Sequence, residues 1–354
     1  MSTRSGWPGD ASPFHVGEHA VQARAGAREQ SERIGRRIIQ DFLLDLYREL
    51  LAKLPLVLLG SLDDRDRPWG SVLAGAPGFI RALDPRRLRI EGMAALADPS
   101  RANLAIDSPV GLLAIDFAAR RRVRVNGTVT DVDPSGFSVR VQQSYGNCPQ
   151  YIQARKPRFV GPVSPLARPA PTEVLGPVLS SGAAAIIAAA DTFFICTASS
   201  NARVRAPCEG VDISHRGGKP GFVRITEHEG STVLLAPDFR GNSFFNTLGN
   251  LAVNPRTALL FIDFDLGDVL SLTGTAEVLW QGRELEAFLG AERLLCLRVE
   301  EGTWMKGVLP LRWSAPEFAP QLAATGSWDD VAAHEPRDGL EVPVVRSSVW
   351  TKGG

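Results

Sequence analysis

Asn103-Leu-Ala-Ile-Asp-Ser-Pro-Val-Gly-Leu-Leu-Ala-Ile-Asp-Phe117 has a close copy later in this 354-residue chain, Asn250-Leu-Ala-Val-Asn-Pro-Arg-Thr-Ala-Leu-Leu-Phe-Ile-Asp-Phe264. The copies align without a gap, and eight of their fifteen positions are identical. Two further motifs recur in the same order, Asn126-Gly-Thr128 as Thr273-Gly-Thr275 and Pro77-Gly-Phe79 as Pro220-Gly-Phe222. Three ordered matches indicate an internal repeat.

Each half of the chain predicts the same succession of elements. An apolar strand (residues 56–61; 192–197) is followed by a polar turn, a strand through Pro-Gly-Phe and a short Leu- or Ile-rich strand. An Asn-Leu helix and two more strands complete each half. Short strands separated by turns at this spacing are typical of β-barrels. We therefore expect a mainly β protein with flanking helices and one barrel in each half.

Helical spacing and proline content suggest the boundaries between these parts. Apolar residues four apart predict one helix over residues 27–51, and an Ala-rich segment predicts another over 181–190. Five prolines between residues 156 and 171 predict a linker. The expected parts are an N-terminal segment and helix (1–52), a first barrel (53–155), a Pro-rich linker (156–180), a second barrel (181–314) and a C-terminal tail (315–354).

The composition is that of an ordinary globular protein. Lys plus Arg and Asp plus Glu number 39 each, so no global charge would attract nucleic acid or an anionic membrane. The first 29 residues lack the apolar run of a signal peptide, and no later stretch reaches the roughly 18 apolar residues of a membrane span. We therefore expect a cytoplasmic protein. The four cysteines form no CxxC pair, which argues against a metal or redox motif.

The densest polar cluster is Gly210-Val-Asp-Ile-Ser-His-Arg-Gly-Gly-Lys-Pro-Gly-Phe-Val223. On a strand, Asp212, Ser214 and Arg216 lie on one face because alternate side chains point the same way. Two glycines then allow a large group to approach the backbone. A hydroxyl, a guanidinium and an ammonium group are suited to holding a phosphate. The same stretch would equally suit a tight Gly-Gly hairpin with a solvated basic turn.

A second polar cluster is Pro237-Asp-Phe-Arg-Gly-Asn-Ser-Phe-Phe-Asn-Thr-Leu-Gly-Asn250. If a helix begins at Ser243, its last two asparagines share a face, and its amino terminus favours an anion. Arg240 and Asn242, just before the helix, would reinforce a phosphate site. Asn242 or Ser243 would also serve as an ordinary helix cap, and the two roles are compatible.

These clusters resemble the pyridoxamine 5′-phosphate oxidase-like split-barrel flavoproteins. The resemblance is strongest over residues 191–280, and residues 63–132 follow the same plan in weaker form. Two other motifs resemble the larger members with two barrels, Ser12-Pro-Phe-His-Val-Gly-Glu18 and Tyr145-Gly-Asn-Cys-Pro-Gln-Tyr-Ile-Gln153.

The resemblance implies tandem split β-barrels that bind FMN between two barrels. It implies an FMN-dependent oxidoreductase acting on a small organic substrate, with NAD(P)H or oxygen as the other substrate. The flavin performs the hydride transfer, so no protein nucleophile or acid–base pair is required. The two barrels would pair within one chain, as the repeat suggests, or two chains would pair to complete the sites. We expect a homodimer, because the surfaces between barrels of this fold are large and apolar. The implied cofactor-binding residues are Asp212, Ser214, Arg216, Gly217, Gly218, Lys219, Arg240, Asn242, Asn246 and Asn250.

The first half departs from this pattern. Its Gly70-Ser-Val-Leu-Ala-Gly-Ala76 keeps Ser71 but has no arginine, lysine or Gly-Gly. We expect the first half to be a structural partner or to form the substrate side of the site. Vitamin B6 oxidation is not expected, because Leu309-Pro-Leu-Arg-Trp313 supplies an arginine without the histidine that true pyridoxamine-phosphate oxidases pair with it.

Other functions are compatible with the same fold. The barrel would suit a non-catalytic protein that holds haem, a deazaflavin or a stored flavin, or an electron-transfer module for a separate reductase. His15, His19 and His215 favour haem, although His215 suits packing equally well and the other two suit a solvated segment. Residues 145–153 would either close the flavin site or only connect the barrels.

Overall fold

The computed structural model describes residues 6–161, 170–204 and 206–333. In the first half, three helices precede a seven-stranded antiparallel sheet. The elements are α1 (Val16–Arg24), α2 (Arg28–Ile38), α3 (Asp45–Lys53), β1 (Leu56–Leu62), β2 (Pro68–Ala74), β3 (Ile80–Asp84), β4 (Arg87–Glu91), α4 (Ser100–Asn103), β5 (Pro109–Asp116), β6 (Arg121–Asp133) and β7 (Gly136–Asn147).

The second half contains an eight-stranded sheet, and a short two-stranded sheet joins the chain between the halves to the C-terminal region. Among the described residues, no helix has the length and apolar character needed to cross a membrane. The elements are β8 (Pro157–Phe159), β9 (Thr172–Leu175), α5 (Ser181–Ala189), β10 (Thr192–Ala198), β11 (Val211–Gly217), β12 (Arg224–His228), β13 (Ser231–Phe239), α6 (Asn246–Val253), β14 (Arg256–Ile262), β15 (Val269–Leu279), α7 (Arg283–Ala287), β16 (Ala291–Met305), β17 (Leu311–Trp313), a 3-10 helix (Pro320–Ala324) and α8 (Trp328–Ala333).

The two large sheets have the same order of strands. The first runs β2-β1-β5-β6-β7-β4-β3, and the second runs β11-β10-β14-β15-β16-β13-β12, with β9 added beside β16. Over the described residues, backbone pairing leaves both sheets open. The protein is therefore mainly β, with antiparallel sheets and flanking helices.

Both sheets also carry a β-bulge at the Gly-Thr motif. The strand register shifts between Asn126 and Gly127 in β6 and between Thr273 and Gly274 in β15. A Cβ atom on Gly127 would lie 2.1 Å from the carbonyl oxygen of Arg140, and one on Gly274 would lie 2.0 Å from that of Arg298. Since no side chain fits at such distances, each bulge requires glycine.

The three largest apolar cores lie within the halves and between them. One lies within each sheet, and the third is built from both halves. Strand β1 is buried throughout because its side chains alternate, with Val57 and Leu59 in the first core and Leu56 and Leu58 in the shared core. At Gly111 the halves approach so closely that a Cβ atom would lie 2.5 Å from the carbonyl oxygen of Val211. The two halves therefore pack against each other within one chain.

The N-terminal helix prediction is wrong in one respect. Residues 27–51 form two helices, α2 and α3, separated by an extended segment. The break occurs because Gln40 exchanges backbone hydrogen bonds with Ser144, at 3.0 and 2.7 Å, and so forms a β-bridge. Leu46, predicted to share the buried face, is 48% exposed.

The predicted linker and tail contain regular structure. Strand β9 pairs with β16, and β8 pairs with β17, so the segment after the first sheet is joined to the second half on both sides. The rest of the Pro-rich linker (162–169) and the tail beyond residue 333 lie outside the described residues.

Candidate anion-binding cleft between the halves

A cleft opens where the two halves meet. The first half contributes β6 and the segment that follows β7, and the second contributes β11, the loop between β13 and α6, the start of α6, and β16. Both polar clusters singled out in the sequence therefore reach the same cleft. Six of the ten predicted cofactor residues line it: Ser214, Arg216, Gly217, Arg240, Asn242 and Asn246.

The lining of the cleft is strongly basic. Five arginines border it, but only two carboxylates, Asp238 and Glu292. The buried Asp238 is shared, since it accepts from Nε of Arg216 at 3.0 Å and from Nε of Arg293 at 2.9 Å. Glu292 also pairs with Arg293. In the described part of the chain, Arg240 has no ion-pair partner. The cleft therefore carries excess positive charge and favours an anion.

The amino terminus of α6 opens onto this cleft. The helix begins at Asn246 rather than at Ser243, and within the described structure no side chain caps it. The preceding Ser243 and Phe245 both have left-handed backbone, with φ of 62° and 60°. The oxygen Oδ1 of Asn242 accepts from the amide of Phe244, at 3.1 Å. The first amide groups of α6 are thus available to a ligand, and the helix dipole adds to the positive field.

A buried polar network lies beneath the cleft. The guanidinium of Arg124, on β6, donates to Asp212 and to the hydroxyl of Ser214 across the interface between the halves. The amide of Asn250 donates to the other carboxylate oxygen of Asp212 at 2.7 Å. Thr247, on α6, donates to Ser214 at 3.1 Å. Asp212 and Asn250 are therefore occupied by protein partners, and their role here is to hold β11, α6 and β6 together.

The N-terminal motif joins the same network. The carboxylate of Glu18 accepts from the amide side chain of Asn246 and from the backbone amide of His15. The ring of His15 contacts the Oδ1 atom of Asn250 at 2.9 Å. Burial, followed by repulsion from Asp212, raises the pKa of Glu18 well above its usual range. Helix α1 is thereby attached to the first and second turns of α6.

Three predicted residues lie against protein. A Cβ atom on Gly217 would lie 2.0 Å from the carbonyl oxygen of Tyr151, and one on Gly218 would lie 2.3 Å from the ring of Phe222. The ammonium group of Lys219 donates to the carbonyl of Thr325 at 2.6 Å and does not line the cleft. The two glycines thus allow close packing of the chain itself, and Lys219 attaches the C-terminal region.

The three histidines occupy different environments. His19 contacts the hydroxyl of Ser12 at 2.9 Å, away from the cleft lining, while His15 belongs to the buried network. His215 borders the cleft and is buried, and neither of its ring nitrogens has a hydrogen-bond partner among the described residues. Burial, with the positive charge of Arg122, lowers its pKa well below the usual range, so the ring is neutral.

The segment over residues 145–153 lies along the cleft. Asn147, Cys148, Gln150 and Tyr151 all line it. The ring of Tyr151 stacks on Phe239 with a centroid separation of 5.1 Å. This segment therefore forms one wall of the cleft as well as connecting the halves.

Sequence reasoning missed the two arginines that the first half contributes. Arg122 and Arg124 lie on β6, whereas the prediction for the site in the first half concerned residues 70–76. A signal was present, because Arg122, Arg124 and Asn126 alternate with Val123 and Val125, which places these polar side chains on one face of the strand.

No protein-family model and no curated protein sequence matches this chain. Solved structures similar to parts of it include HupZ from Group A Streptococcus, with 14% identity, a TM-score of 0.27, and coverage of 35% of this chain and 90% of that one. HutZ, the haem storage protein from Vibrio cholerae, has 14% identity, a TM-score of 0.25, and coverage of 37% and 96%. A Clostridium acetobutylicum protein of the pyridoxinephosphate oxidase family has 15% identity, a TM-score of 0.24, and coverage of 42% and 94%.

Proposed function

We propose that this chain is a flavoprotein of two tandem split barrels, which binds FMN in the cleft and acts as an oxidoreductase on a small organic substrate. The observation that carries the proposal is an uncapped helix amino terminus that meets five guanidinium groups and only two carboxylates in one cleft. Both features favour a phosphate group. The common strand order and the common bulge of the two sheets support the tandem arrangement.

The phosphate would lie at the amino-terminal end of α6. Arg240 and the first amides of α6 would hold it, and Asn242 would lie beside it. Arg216 would contribute the edge of its guanidinium that Asp238 does not occupy. When bound, FMN supplies hydride or electron transfer, with NAD(P)H or oxygen as the second substrate. The chain's own part is to bind and orient the cofactor, and the buried Arg124 network keeps both halves in register beneath it.

The first test compares FMN with riboflavin, which lacks the phosphate. We expect the protein to bind FMN more tightly, and Arg240→Met to weaken FMN binding by about 1.5–3 kcal/mol, or roughly 10- to 100-fold, through loss of a charge-assisted contact. Riboflavin binding should be unchanged. Flavin fluorescence titration measures both affinities. Arg240 is chosen because its removal leaves no carboxylate unpaired, whereas removal of Arg216 would free one side of Asp238.

Arg283→Met is the matched control. Arg283 is exposed on α7, so this replacement removes the same charge at a position away from the cleft. Its FMN affinity should equal that of the wild type. A wild-type protein that binds FMN and riboflavin equally, or that stays colourless after incubation with FMN, would contradict the proposal.

Haem binding is the second candidate, and one observation favours it. His215 is a buried, neutral imidazole with two unpartnered nitrogens at the cleft lining, and neutral imidazole is the form that ligates iron. The absorption spectrum of the untreated protein separates the candidates. A Soret band that His215→Ala abolishes would support haem, whereas flavin bands support the first proposal.

A further inference from the structure

Arg122 is an arginine that has no carboxylate partner among the described residues. It lies on β6 and borders the cleft, where its Nε donates to the carbonyl of Cys148 at 2.8 Å. Its two terminal nitrogens make only long contacts, 3.4 Å to the carbonyl of His215 and 3.5 Å to the sulfur of Cys148. No carboxylate pairs with it within residues 6–161, 170–204 and 206–333.

Two further cations lie close to Arg122. Burial, the largest cause, lowers the pKa of its guanidinium, Cys148 raises that pKa, and the neighbouring charges of Arg216 and Arg124 lower it. Arg124 pairs with Asp212, and Arg216 shares Asp238 with Arg293. Arg122 therefore lies next to two cations whose counter-charges are already engaged.

A second unsatisfied donor lies directly across the sheet. Arg122 on β6 is paired in register with Asn147 on β7. The amide nitrogen Nδ2 of Asn147 is buried without an acceptor in the described structure, while its oxygen accepts from Asn242 at 3.1 Å. A buried donor without an acceptor costs free energy unless a ligand satisfies it.

We propose that Arg122 and Asn147 form a second anion subsite, which binds a carboxylate or phosphate group of the substrate. The subsite is built on β6 and β7 of the first half, whereas Arg240 precedes α6 in the second half. The inference rests on the proposed function in assigning the ligand to the substrate of the flavin site. It narrows the substrate class to small organic anions.

The test titrates the FMN-loaded protein with inorganic phosphate and, separately, with succinate, at constant ionic strength in a calorimeter. We expect one of these anions to bind and Arg122→Met to weaken that binding by about 10- to 100-fold. Asn147→Ala should weaken the binding of the same anion. The identity of the anion that binds shows whether the substrate carries a phosphate or a carboxylate group. Arg121→Met is the matched control, because Arg121 is exposed on the same strand and its loss should leave anion binding unchanged.

Three results would overturn the subsite. They are failure of both anions to bind the wild type, an equal loss in the Arg121→Met control, and a loss of FMN affinity in Arg122→Met as large as that in Arg240→Met. The last result would assign Arg122 to the cofactor phosphate. If the wild type binds no FMN, the proposed function fails. The same anion titrations on the cofactor-free protein then still test the subsite, because they compare Arg122→Met with its control Arg121→Met.

Discussion

Ser71 and Ser214 occupy the same register position in the two sheets but have partners of opposite charge. Ser71 faces Leu59 in the β1–β2 pair, and Ser214 faces Ile195 in the β10–β11 pair. The hydroxyl of Ser214 accepts from a guanidinium, whereas that of Ser71 donates to the carboxyl group of Asp98. A carboxyl group at this place disfavours an anion. The two equivalent serines therefore differ in their partner, which is a guanidinium in the basic cleft and a carboxyl group at the equivalent position of the first half.

Asp98 should make stability depend on pH. Burial raises its pKa from 3.8 to about 6. Because the folded state retains the proton that the unfolded state releases, stability is highest below about pH 4 and falls as pH rises to about 6. The loss is of the order of 3 kcal/mol. Asp98→Asn removes this contribution, since the side-chain amide can accept from the backbone amide of Ser100 and donate to the hydroxyl of Ser71, which then becomes the acceptor. Urea unfolding at pH 4.5 and pH 7 measures the difference between variant and wild type.

Asp64→Asn provides the comparison for this prediction. Asp64 is exposed, so its replacement should leave the pH dependence of unfolding unchanged. An Asp98→Asn protein whose stability changes with pH as the wild type's does would show that the carboxyl group is already charged in the folded state.

At the scale of elements, the crossing of α1 and α6 positions the helix amino terminus in the cleft. A Cβ atom on Gly17 would lie 2.2 Å from the carbonyl oxygen of Gly249, and one on Gly249 would lie 2.6 Å from the Cα atom of Glu18. The two glycines thus allow the helices to touch backbone to backbone. Glu18 can then reach Asn246 in the first turn of α6.

Gly17→Ala should separate these helices. On an exposed helix such a change stabilises by up to about 1 kcal/mol, whereas here overpacking should destabilise the protein by about 1–3 kcal/mol. Displacement of α6 should also reduce the preference for FMN over riboflavin. Urea unfolding and the two flavin titrations are the measurements.

Ala20→Ser is the control, since Ala20 is exposed on the same helix: its replacement should cost no more than about 0.5 kcal/mol and leave the preference for FMN unchanged. If Gly17→Ala is as stable as the wild type and retains its preference for FMN, α1 does not position α6.

The elements show what local sequence can predict. Alternation along β11 predicted that Asp212 and Ser214 share a face, and both contact the same guanidinium. The position of Arg240 just before a helix was also readable from local spacing. Arg122 and Arg124 were not predicted at the cleft, because they reach it only through packing of one half on the other. The break between α2 and α3 was missed for the same reason, since a bridge to Ser144 causes it.

At the scale of the molecule, the cleft exists only because the halves share a core. Leu113 of β5 and Leu260 of β14 both belong to this core and are almost fully buried. Both halves contribute arginines to the cleft. If the halves separated, Arg122 would no longer lie in the same cleft as the amino terminus of α6. The expectation of a homodimer depended on apolar faces that here meet within one chain, and it stays a prediction.

The shared core should make the two halves unfold together. Leu260→Ala should cost about 2–5 kcal/mol, as for other buried leucines, and should lower the protection of amides in both sheets because one core serves both. Native-state hydrogen exchange measures this sheet by sheet. Leu88→Ala is the comparison, because Leu88 lies in the core of the first half alone and sub-global opening there should expose mainly the first sheet. If the first sheet of the Leu260→Ala protein kept its full protection, the halves would be independent folding units. The cleft would then lie at an interface between two domains that can move apart.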